Sequence, residues 1–118
     1  MPNLTQLVHG LLDRPGVEAV LLVSGDGLSI EQAAHNELNA DAVAALAATL
    51  IRQLTQLGEA ADRGPLTLAV LEYERGLFIQ SRLHNGNWLL LLTEPDADVG
   101  ELLYDLRQHQ SALTALLQ

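Results

Sequence analysis

The stretch from Asp41 to Leu57, DAVAALAATLIRQLTQL, most constrains what this chain can fold into. It holds no glycine or proline and consists mostly of good helix formers, so it is expected to be a helix. Asn39 stands just before it as an N-cap candidate, and Asp41 puts a negative charge in the first turn. On a wheel of about 100° per residue, Val43, Leu46, Leu50, Leu54 and Leu57 form one apolar stripe. Ala44, Ala48, Ile51 and Thr55 form a second stripe beside it, while Asp41, Arg52, Gln56 and Glu59 mark a polar side. The apolar arc is roughly 200° wide, against the roughly 100° that burial on one face needs. Such a helix has two surfaces to cover. The leucine stripe suits a sheet, and the alanine-rich stripe suits a second helix at close range. No other long helix of the chain offers that surface, so a second copy is the expected cover. The alternative is a helix buried wholly within one monomer.

With 118 residues, the chain is expected to form one domain spanning 1–118 around a single core. A hydrophobic fraction of 48% sets it apart from disordered sequences. The formal net charge is −9, from 15 acidic residues against six arginines, with no lysine. No basic stretch is available to neutralise phosphates, which argues against nucleic acid and against an anionic membrane surface as partners. Unbroken apolar runs such as Trp88 to Leu92 are far too short to span a bilayer. The absence of cysteine excludes disulfides, a thiolate nucleophile and cysteine metal ligands. The N-terminal MPNLTQ lacks the charged and apolar regions of a secretory signal, so a cytoplasmic protein is expected.

Leu4, Leu7, Val8, Leu11 and Leu12 repeat at helical spacing, from a start near Asn3 to an end before Pro15-Gly16. Val17 to Ser24 is a nearly continuous apolar run of strand length, expected inside a sheet and covered on both faces. Gly25-Asp26-Gly27 turns it, and Leu28 to Ala33 returns as an edge strand. After the long helix, Gly64-Pro65 precedes an alternating strand, Leu66 to Glu74. Leu66, Leu68 and Val70 point one way, and Thr67, Ala69, Leu71 and Tyr73 the other. Leu77 to Leu83 follows, with Gln80 and Arg82 expected towards water or a thinly covered face. Asn85-Gly86 is a strong type I′ hairpin signal. Trp88 to Thr93 is a second continuous apolar strand, hence central. Asp98 and Glu101 have capping-box spacing before a last helix with Val99, Leu102, Leu103, Leu106, Leu113 and Leu117 on one face. The element order is α-β-β-α-β-β-β-α.

Signs of catalytic chemistry are sparse. Without lysine there is no Walker-type phosphate loop, and Gly25-Asp26-Gly27 alone is a turn. His9, His35, His84 and His109 are scattered, which fits exposed polar residues better than metal ligands. Ser24 and Ser29 have no histidine at a spacing that suggests a base. Asp96, Asp98 and Glu101 read as helix-start residues before acid–base catalysts. Arg52 is a lone cation on the polar side of the long helix; it could serve in trans as an arginine finger, although a solvated surface arginine is the simpler reading. No catalytic residue, cofactor or metal is expected, and no enzyme.

The element order and several phrases within it resemble the Roadblock/dynein light chain family. The phrases are Pro15-Gly16-Val17 leading into an apolar strand, Ser24-Gly25-Asp26-Gly27-Leu28 at the first hairpin, the Ala/Leu-rich central helix, Gly76-Leu77-Phe78-Ile79, and the Trp88 to Leu92 strand. The chain looks like the stand-alone bacterial and archaeal members, including MglB-like regulators of gliding motility and cell polarity. The resemblance implies an α+β fold with a five-stranded antiparallel sheet, the central helix on one face and the terminal helices on the other. It implies a homodimer through the central helices and third strands, here with Ala44, Ala48, Ile51, Thr55, Leu66, Leu68 and Val70 at the interface. It also implies a Ras-like small GTPase as partner, regulated by activation, exchange or scaffolding. Arg52, Gln53, Gln56 and Glu59 are the expected GTPase-binding surface. A structural dimerisation scaffold without a GTPase, or a small-molecule sensor, are the alternatives.

Overall fold

The computed structural model describes residues 3–117; Met1, Pro2 and Gln118, at the ends of the expected 1–118 span, lie outside the described residues. The elements are α1 (Leu4–Leu12), β1 (Val17–Val23), β2 (Ser29–Ala34), α2 (Ala40–Ala60), β3 (Leu68–Tyr73), β4 (Gly76–Arg82), β5 (Trp88–Thr93) and α3 (Val99–Leu116), in the expected order. The five strands form one antiparallel sheet in the order β2-β1-β5-β4-β3. The two continuous apolar strands, β1 and β5, therefore lie side by side in its interior, and the weakly alternating β2 and β3 are its edges.

Side-chain alternation divides the core into two layers. Val20, Leu22, Ile79, Leu89 and Leu91 point to one face, where α1 contributes Leu7, Val8 and Leu11, and α3 contributes Leu102, Leu106 and Leu113. Ala19, Leu21, Val23, Trp88 and Leu90 point to the other, where α2 lies alone. An ion pair between Arg14 Nε and Asp105 (3.2 Å) fastens α3 to the segment after α1. Among the described residues, no helix is long and apolar enough to cross a membrane.

The helix ends follow local chemistry. Asn3 and Gln6 make a reciprocal capping box, and Asn39 accepts from Ala42 N–H (3.1 Å). Asp98 accepts from Glu101 N–H (3.1 Å). The C-terminus of α2 closes with Arg63 N–H on Gly58 O (2.8 Å) and Asp62 N–H on Glu59 O (3.1 Å), with Asp62 in the left-handed region at φ 56°. This Schellman arrangement ends the helix before Gly64-Pro65 is reached.

The Asn85-Gly86 hairpin departs from expectation. Gly86 has φ +85°, but Asn85 does not have positive φ, so the turn is not type I′. A three-residue loop forms instead: Leu83 N–H donates to Asn87 O (2.9 Å) and Gly86 N–H to Leu83 O (3.3 Å). The Asn85 side chain accepts from Asn87 N–H (3.2 Å). The first hairpin is built alike, with Ser24 N–H on Leu28 O (2.9 Å), Gly27 N–H on Ser24 O (3.0 Å) and Gly27 at φ +88°. Both place one glycine at the left-handed position that completes a type I turn and bulge.

Candidate protein-docking surface

The surface begins with how α2 is seated. Its buried residues are Ala40, Ala44, Ala47 and Ala48. Ala44 is 0% exposed and Ala48 4%, whereas Leu46 is 70% exposed and Leu57 64%. The two stripes are thus seated otherwise than expected: the alanines are buried within their own chain, Val43, Leu50 and Leu54 are half-buried, and Leu46 and Leu57 face outward. Volume explains the seating. The strands beneath α2 already supply Leu21, Val23, Trp88 and Leu90, so a close-packed layer has room for methyl groups and not for a second row of leucines. The first hairpin closes over the same spot, where a Cβ on Gly27 would come within 3.1 Å of Ala48 Cβ. Ala44 and Ala48 are therefore taken up by their own chain and offer nothing to a second copy. Ile51 and Thr55 are half-buried on the same side, with the Thr55 hydroxyl donating to Ile51 O (2.7 Å).

The leucine stripe overhangs the β3–β4 edge of the sheet. There it borders an apolar groove of about 190 Å³ lined by Val43, Leu46, Leu50, Leu71, Tyr73 and Phe78, with Gln80 also in its lining. Gln80, expected towards water or a thinly covered face, is 0% exposed on the α2 face, and neither its Oε1 nor its Nε2 has a hydrogen-bond partner. Tyr73, 61% exposed, stands at the groove's rim. Leu68 and Val70 sit on the opposite face of β3, since Val70 is paired with Ile79 of the α1–α3 layer. Leu66 precedes the strand and packs on the α2 side. The expected interface residues are thus split between two faces, and the continuous apolar flank is carried by Leu46, Leu50, Leu57, Leu71, Tyr73 and Phe78. The signal that could have found it was side-chain size: small residues go under a helix whose sheet is already filled with large ones.

Arg52, Gln53, Gln56 and Glu59 are all exposed on the outer side of α2. Arg52 Nη2 donates to Thr49 Oγ1 (3.2 Å), which lays the guanidinium along its own helix. On the far face, a hollow of about 300 Å³ is bordered by Arg14, Glu94, Asp96, Asp98, Glu101 and Asp105. Three of its groups are engaged locally, Asp98 as the α3 cap and Arg14 with Asp105. Among the described residues, no group of three or more His, Asp or Glu converges in a way that could hold a metal ion.

A five-stranded antiparallel sheet with one long helix on one face and the two terminal helices on the other is the roadblock fold. The chain belongs to the Roadblock/LC7 domain family, whose model matches residues 4–93. A Roadblock/LC7 domain from Streptomyces avermitilis is 28% identical, with 98% of each chain covered and a TM-score of 0.89. Myxococcus xanthus MglB shares the fold at 14% identity, 98% coverage of each chain and a TM-score of 0.87. The gliding protein MglB of Thermus thermophilus does so at 17% identity, over 93% of this chain and 84% of that one, with a TM-score of 0.84. A search among curated proteins gives no match.

Proposed function

We propose that this chain is a non-enzymatic, homodimeric regulator or adaptor in the cytoplasm, a single Roadblock-type domain that binds a Ras-like small GTPase and modulates its nucleotide cycle or localisation. The observation that carries the reading is the outward face of α2. It combines an uncovered leucine flank beside an open strand edge with a polar row of Arg52, Gln56 and Glu59. The flank and β3 suit a second copy of the chain, and two polar rows side by side suit one GTPase docked across them. The likeness in fold to MglB proteins supports it, one of which is solved in a tetrameric arrangement.

The dimer is tested first. Leu46 is on the surface of a single chain, so Leu46→Asp should change the stability of a monomer by no more than about 0.5 kcal/mol. In the dimer it would put a charge into an apolar contact. The expected result is a folded monomer by light scattering where the parent is a dimer; an unchanged dimer mass would move the interface off this flank.

The partner is tested by titrating the chain against candidate small GTPases loaded with GTP or GDP. Arginines concentrate binding energy at interfaces, so Arg52→Glu should weaken binding by about 1–2 kcal/mol while sparing the dimer. An arginine finger would behave differently: Arg52→Ala would abolish stimulated hydrolysis and largely spare binding. The hydrogen bond from Arg52 to Thr49 favours the docking role. Unchanged binding and hydrolysis in both variants would remove the GTPase from this face. A scaffold without a GTPase partner would bind none of the loaded candidates.

A further inference from the structure

The edge of a sheet is a template for strand addition unless something covers it, and β2 is the edge against which α1 packs. His35 N–H donates to Glu18 O (3.0 Å), and the pairing runs on in register through Val20–Ala33 and Leu22–Glu31. Glu31, Ala33 and His35 therefore bond inward to β1, while Gln32 and Ala34 turn their N–H and C=O groups to the open side. At the start of the strand, Leu28 and Ile30 are 68% and 40% exposed, so this edge combines bare backbone with uncovered apolar surface.

One side chain closes it. The Glu31 carboxylate accepts from Gln32 N–H through Oε1 (3.1 Å) and from the Thr5 hydroxyl through Oε2 (2.9 Å). One oxygen thus sits on the edge itself, and the other ties it to α1. We infer that this Thr5–Glu31–Gln32 relay is an autoinhibitory clasp, which keeps the β2 edge from accepting a further strand, whether from another protein or from a second copy of the chain. An incoming strand has to take the Gln32 N–H from Glu31 and bury a carboxylate that has lost its hydrogen bonds, which is costly. Ile30 reinforces the block. It is the extra residue of a bulge between the Leu22–Glu31 and Val23–Ser29 pairs, and a bulge breaks the even spacing that a new strand needs.

Thr5 makes the clasp releasable. It is exposed, and it is the second helical residue after the Asn3 cap of α1. A negative group at that position is favoured by the helix N-terminus but repels the Glu31 carboxylate. A change of charge at Thr5 therefore bares the edge without loosening α1.

Amide hydrogen exchange read residue by residue, with sedimentation velocity beside it, tests the clasp. Glu31→Ala and Thr5→Asp should each speed exchange at the Gln32 amide about tenfold, while the Ala33 amide, bonded inward to β1, keeps the parent's rate. Both variants should also form species larger than the parent at the same concentration, and more of them as concentration rises. Thr5→Ser keeps the donor and should match the parent in both measurements. Unchanged Gln32 exchange in Glu31→Ala overturns the clasp. Faster exchange at Ala33 as well also overturns it, because Glu31 would then brace the strand and not cover its edge. Faster Gln32 exchange with no larger species at any concentration means that the bared edge takes no strand, and overturns the autoinhibitory role.

Discussion

Ala44→Glu and Ala48→Glu should each unfold the chain itself, beyond any effect on its pairing with a second copy. Both alanines lie between α2 and the sheet, and Ala48 is further enclosed by the hairpin glycine at position 27. A glutamate there has no route to water and no cation beside it. Stranding an unpaired charge inside a protein costs about 3–5 kcal/mol, a large share of the roughly 5–15 kcal/mol that typically holds a domain together. Urea titration followed by far-UV circular dichroism should show the midpoint collapsing towards zero denaturant. Soluble, folded monomers with the parent's midpoint would return the alanine stripe to the outside of the molecule. Leu46→Asp, one residue before Ala47 on the same helix, is the control, because it should leave folding intact.

Gly76→Ala should be the second severe change. Gly76 opens β4, and a Cβ there would overlap the carbonyl oxygen of Thr93 on β5. That oxygen belongs to backbone, so relief requires moving one strand off the other at the Leu77–Thr93 pair. Forcing extra bulk into a packed interior costs about 1–3 kcal/mol, and a rigid backbone neighbour puts this site at the upper end. Gly86→Ala separates crowding from conformation. Gly86 has φ +85° but open space around it, so only the left-handed backbone is penalised, by about 1–2 kcal/mol. Thermal melts of the two variants should therefore differ, with Gly76→Ala melting lower. The reverse order would mean that β4 and β5 can separate at this end at little cost.

Much of the architecture could be read in advance because each strand carries its position in its pattern. Trp88 to Thr93 and Val17 to Val23 are apolar on both faces and are interior; the β2 and β3 sequences alternate and lie at the edges. Asn39 and Asp98 marked their helices because the cap is a local bond. What was not legible depended on what lies across the layer. The wheel of α2 shows two apolar stripes, but only the residues beneath, Leu21, Trp88 and Leu90, decide that the alanines go inward. Gln80 was legible only in part: its polarity suits water or a thinly covered face, and the Leu46 and Leu50 that border the same groove decide that it is buried. The Asn85-Gly86 turn failed more subtly. Asn85 uses its side chain to hold Asn87 N–H, and the loop takes a third residue.

The alanine bed under α2 has an evolutionary consequence. Because the helix is anchored by methyl groups, its outer residues carry almost none of the chain's folding energy. Leu46, Arg52, Gln53, Gln56 and Glu59 can drift without endangering the fold, while Ala44, Ala47 and Ala48 cannot. The outer surface of α2 can therefore change its charge and shape through a handful of substitutions, each nearly neutral for folding.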